Sequence, residues 1–77
     1  MARPKKCNGG RPPEYLITVA RAHSDLCVDL QVGADVFRAT LYAGEVRIKG
    51  EGPRCAKEAA RRYARSRWAA GQSPGSW

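Results

Sequence analysis

Residues 26–32 read LCVDLQV, and the alternation in this run decides the architecture of the 77-residue chain. Leu26, Val28, Leu30 and Val32 occupy every second position, with Cys27, Asp29 and Gln31 between them. A strand points successive side chains to opposite faces, so the pattern buries one face of a sheet and wets the other. Upstream, Tyr15, Ile17 and Val19 alternate with Leu16, Thr18 and Ala20, which predicts a first strand, and His23-Ser24-Asp25 reads as the turn between the two. Downstream, Gly33-Ala34-Asp35 predicts a second turn, residues 36–42 a third strand, Ala43-Gly44-Glu45 a hairpin turn and residues 46–49 a short fourth strand. Phe37, Ala39 and Leu41 are the expected inward set of the third strand, and Val46 and Ile48 that of the fourth. The opposite face then carries Asp29, Gln31, Arg38, Thr40, Tyr42, Arg47 and Lys49.

Residues 52–71 read GPRCAKEAARRYARSRWAAG and change period. Ala56, Ala59, Ala60, Tyr63 and Ala64 recur at the three- and four-residue spacing of one helical face. Arg54, Glu58, Arg61 and Arg65 recur at the same spacing on another, with Lys57 and Arg62 beside them. Pro53 suits the first helical position and Gly71 the residue just past the end. Small apolar residues let such a helix lie close on a sheet, which sends its basic side outward. The expected fold class is α+β: an antiparallel meander of three or four strands with one C-terminal helix packed on one face. Gly9, Gly10, Pro12 and Pro13 interrupt regular structure, so residues 1–13 read as a flexible basic arm, 14–71 as the single domain and 72–77 as a flexible tail.

Charge is segregated along the chain. Residues 1–13 hold Arg3, Lys5, Lys6 and Arg11 and no acid; residues 53–68 hold six basic residues against Glu58 alone. The stretch between has four basic and six acidic residues, so the formal net charge of +7 comes from the two ends. A segregated excess of this kind makes a basic surface suited to nucleic acid. The length allows one domain with a core near the lower limit of stability, to which dimerisation would add buried area. No apolar run is long enough to span a membrane, and the basic start is not followed by a signal-peptide type of segment. Cys7, Cys27 and Cys55, odd in number and widely spaced, predict no disulfide framework; with His23 as the one histidine they form no zinc-ligand spacing. A reducing cytoplasm is the expected home, with Cys55 either a small filler or a reactive thiol.

Part of this pattern resembles the double-stranded-RNA-binding domain. The residues that carry the likeness are Pro13-Glu14-Tyr15, His23, the alternating strand ending Val32-Gly33, and Gly50-Glu51-Gly52 leading into a basic, alanine-rich helix. The resemblance implies that Arg54 and Lys57 grip phosphates across the major groove, that Arg61 extends the track, and that His23 is a loop contact in the minor groove. Such domains read the shape of an A-form duplex and its 2′-hydroxyls. The layout of basic arm, three-stranded sheet and C-terminal helix is also similar to the arm-type DNA-binding domain of phage integrases and to the plant ethylene-response type. That likeness implies contacts from Arg38, Thr40, Arg47 and Lys49 on the sheet, with the helix as a brace. Gly10-Arg11-Pro12, with Lys5 and Lys6 upstream, is similar to the core of an AT-hook.

The expected function is therefore a small module that recognises duplex RNA or DNA through backbone phosphates. Arg54, Lys57, Arg61, Arg62, Arg65, His23, Lys5, Lys6 and Arg11 are the candidate contacts, and Arg38, Arg47 and Lys49 are a second set on the sheet. The alternative is a phage-type inhibitor or adaptor, for example an anti-CRISPR protein, that docks its basic face on a nucleic-acid-handling complex. The dispersed carboxylates Asp25, Asp29, Asp35, Glu45 and Glu51 form no acid–base pair with the single histidine. No enzyme activity, cofactor, metal or membrane partner is expected.

Overall fold

The structure, a computed structural model, describes residues 15–77. The expected arm over residues 1–13, with Lys5, Lys6 and Arg11, lies outside the described residues. Four strands, β1 (Ile17–Ser24), β2 (Cys27–Val32), β3 (Asp35–Tyr42) and β4 (Glu45–Lys49), form one antiparallel sheet in the order β1-β2-β3-β4. Helix α1 (Arg54–Ala69) packs across one face, and a 3-10 turn (Pro74–Ser76) closes the chain. The fold is an α+β meander with one covering helix.

The covered face is the one that the alternation marks. Val28, Leu30 and Val32 of β2 and Phe37 and Ala39 of β3 are fully buried against Ala56, Ala60 and Ala64 of α1. Ile17, Val19, Val46 and Ile48 border this core, half-buried. Leu41 is also only half-buried, and Leu26 is 51% exposed. Leu26 belongs to the β1–β2 turn instead of the strand: its N–H is taken by Ser24 Oγ at 3.2 Å. The turn is thus Asp25-Leu26, later than expected, and His23 sits in strand β1. Two register shifts accompany this change, with Ala20 and His23 the extra residues between the pairs Val19–Leu30, Arg21–Asp29, Ala22–Val28 and Ser24–Cys27. A bulge re-aims the side chain at the irregularity, and His23 is turned onto the open face.

The β3–β4 hairpin needs positive φ at both turn residues, 51° at Ala43 and 82° at Gly44, the pattern that matches the twist of the flanking strands. Pro53 is extended (φ −63°, ψ 146°) and stands one residue before the helix, with its carbonyl accepting the Lys57 N–H at 3.0 Å. At the other end Gly71, at φ 81°, allows paired bonds from Gly71 N–H to Trp68 O (2.9 Å) and Gln72 N–H to Arg67 O (3.1 Å). This is the Schellman closure, which satisfies helix carbonyls that would otherwise lack donors.

Residues 72–77, expected as a flexible tail, pack back on the domain. Pro74 is buried, and the Trp77 ring meets Trp68 edge-to-face at 4.9 Å and Tyr63 at 5.9 Å. The Schellman turn reverses the chain and brings it back to β1. Trp68 Nε1 donates to the Asp25 carbonyl at 2.9 Å, tying the end of α1 to the β1–β2 turn. The cysteine reading also needs correction. Cys55, buried in the first turn of α1, is disulfide-bonded, and Cys27 is the free cysteine among the described residues. Disulfides persist in oxidising compartments, so the cysteine count no longer supports a reducing home. Among the described residues no helix is long and apolar enough to cross a membrane.

The Gly50-Glu51-Gly52 segment has a packing cause. A Cβ on Gly52 would lie 2.7 Å from the Phe37 ring and 3.1 Å from the Asp35 carboxyl carbon, and one on Gly50 would lie 2.9 Å from the same ring. The loop crosses directly over Phe37, so only hydrogen fits. Gly52→Ala is expected to destabilise the domain by about 1–3 kcal/mol through this clash. Urea unfolding midpoints of the two proteins measure the cost.

Candidate nucleic-acid interface

Helix α1 presents its cations as a ridge. With the alanines buried, Arg54, Arg61, Arg62 and Arg65 are exposed and Lys57 lies half-buried at the flank. From Arg54 to Arg65 the ridge runs about 16 Å at 1.5 Å per residue. Glu58 is its one acid, shared between Arg61 (3.5 Å) and Arg62 (3.4 Å). Exposed pairs of this kind contribute little and exchange readily for other partners. Arg54, Lys57 and Arg65 have no ion-pair partner among the described residues. Arg67 is held differently, over the Tyr63 ring at 5.1 Å and donating to Gln72 Oε1 at 3.1 Å. The folded-back tail thereby removes it from the ridge.

The second set lies on the open face of the sheet. Strand pairing aligns Asp29 with Arg38 and Arg38 with Lys49, and the next row aligns Cys27, Thr40 and Arg47. Arg38, Thr40, Tyr42, Arg47, Ile48 and Lys49 line a shallow open depression of about 490 Å³. The Arg47 guanidinium sits 5.0 Å from the centre of the Tyr42 ring. Asp29, whose side chain is 18% exposed, organises the neighbouring corner. Arg38 Nε donates to Asp29 Oδ1 at 2.9 Å, and His23 Nε2 lies 2.9 Å from Asp29 Oδ2 and 3.2 Å from Arg38 Nη2. That one ring nitrogen donates to Asp29 when it carries the proton and accepts from Arg38 when it does not.

The expected contacts therefore separate into two groups. Arg54, Lys57, Arg61, Arg62 and Arg65 stand together on the outer side of α1. His23, expected as a loop contact acting with the helix, is instead a strand residue on the far face of the sheet, beside Arg38. Lys5, Lys6 and Arg11 lie outside the described residues. Asp29, expected on the open face as an orienting or merely solvated acid, anchors Arg38 and His23, and it is these partners that the sequence does not name. Its signal was an acid at an outward position of the central alternating strand, and only the register supplies its partners. Compared with protein-family models, curated proteins and solved structures, the chain matches none.

The hydrogen bond from Arg38 holds the Asp29 carboxyl below its ordinary value of 3.8, against the opposing effect of partial burial and with further help from His23. A carboxyl depressed by folding binds fewer protons folded than unfolded in this range. Its stabilisation is present above the unfolded value and is lost as pH falls through the depressed one. Between about pH 5 and about pH 2, Asp29→Asn is therefore expected to lose stability less steeply with acid than the native chain. Urea midpoints across that range give the comparison, and parallel slopes would deny Asp29 the role.

Proposed function

We propose that this protein binds duplex nucleic acid, RNA or DNA, through backbone phosphates, with the outer ridge of α1 as the principal contact. One observation carries the reading: the ridge holds five cations against a single exposed acid, and Arg54, Lys57 and Arg65 have no ion-pair partner among the described residues. A duplex carries one negative charge per about 1.7 Å of its axis, so a ridge about 16 Å long meets several phosphates in any register. Arginine adds geometry to charge, because its planar fork spans two phosphate oxygens. Contacts of this type set position and affinity without reading base sequence. The resemblance of the Gly50-Glu51-Gly52 turn and the following helix to the double-stranded-RNA-binding domain favours an A-form duplex. In that reading Arg54, Lys57 and Arg61 form the phosphate track.

The test is a binding titration against matched duplex RNA, duplex DNA and single strands over a range of salt. Duplex binding that weakens steeply with salt is expected. Replacing Arg54, Lys57 and Arg65 together by Gln should weaken it about tenfold or more at low salt and flatten the salt slope by about 2–3. All three side chains lie off the core, so cooperative unfolding should persist. Unchanged duplex binding by this variant would take the contact away from α1. No binding to any bare duplex would hand the basic ridge to a protein complex, the adaptor or inhibitor reading.

A further inference from the structure

The sheet separates the α1 ridge from the second basic surface, so no single straight duplex can lie on both. One surface is the outer side of the covering helix; the other is the uncovered side of the sheet on which that helix lies. On the uncovered side, pairing sets Arg38 opposite Lys49, two like charges directly across strands. Such a pair is mutually destabilising, and an anion between the side chains relieves it. Asp29 neutralises Arg38 in part from one side, and nothing in the same row does so for Lys49. Arg47 adds a third charge, steadied over Tyr42, with Glu45 only loosely near it at 3.9 Å. The depression between these side chains is open, and Arg38, Arg47 and Lys49 among its lining residues place three cations around it, which suits a phosphate backbone.

We propose that the open sheet face is a second phosphate-backbone site, and that one protein molecule bridges two duplex segments, one on α1 and one on the sheet. This rests on the duplex-binding reading above and adds a valence to it. Two independent sites of one charge on opposite faces link two rods, whereas two sites on one face would only tighten the grip on one. The expected outcome in solution is a network of duplexes, favoured where both sites are loaded and lost with salt.

A sandwich capture tests it. The full chain is bound to an immobilised duplex at low salt, unbound protein is washed away, and a labelled free duplex of the same sequence is added. Sedimentation of the protein alone at the same concentration checks that it is a monomer. Native protein should retain the labelled duplex. The double variant Arg47→Gln, Lys49→Gln, both exposed on the strand surface, should still bind the immobilised duplex within about threefold of native. It should lose the second capture by about tenfold or more. Bridging by that variant at the native level would overturn the proposal, since the link would then come from elsewhere. Native protein that binds the first duplex and never the second would overturn it while leaving the α1 reading intact. Failure to bind the first duplex would overturn both.

Discussion

The contact between the alanine face of α1 and the apolar face of β2 and β3 governs the rest of this molecule. Ala56, Ala60 and Ala64 are all fully buried, and opposite them lie Phe37, Leu30, Val28 and Val32, the largest buried side chains. Burying each of those four contributes about 1.5–3 kcal/mol, in a domain whose small size leaves little surplus over chain entropy. Methyl groups on one side and branched or aromatic groups on the other set a short distance between helix and sheet. The loop that leads into α1 crosses over Phe37, where a Cβ at position 50 or 52 would clash, and Gly50 also stands at φ 145°. The short distance also leaves the long cationic side chains of α1 one direction to point. The outward basic ridge follows from a core built of alanine.

A second consequence is the division of charge. Among the described residues the covering helix and the open sheet each carry a basic surface, and their neutralising acids differ in kind. On α1, Glu58 makes exposed pairs that a phosphate can displace. On the sheet, Asp29 is half-buried and holds Arg38 by a 2.9 Å hydrogen bond, so Arg38 is already partnered. Arg47 and Lys49 are then the exposed charges of that face that Asp29 does not hold. Tyr42, 62% exposed under the Arg47 guanidinium, supplies a ring that steadies one of them.

Much of the architecture was legible because it rests on local periods. The two-residue alternation of β2 and the alanine spacing of α1 each name a face without reference to anything else, and Gly71 marks a helix end by a conformation glycine adopts freely. The parts that were not legible depend on partners. The bulges at Ala20 and His23 exist only in relation to β2, so the position of His23 followed the register and not its own neighbours. Leu26 continues the apolar alternation of its strand but falls in the turn that those bulges displace. Trp77 gains its place only once Trp68 and Tyr63 stand side by side on the folded helix. The ridge of α1 could be listed from spacing alone; its separation from His23 required knowing which face the helix covers.

The most direct test of the central claim is an NMR titration of the labelled protein with a short RNA duplex at low salt, followed residue by residue. The first equivalent is expected to shift the side-chain and amide signals of Arg54, Lys57, Arg61 and Arg65, while those of Val28, Leu30 and Phe37 stay in place. Shifts that leave α1 untouched, or no shifts until the core signals move as well, would contradict that claim.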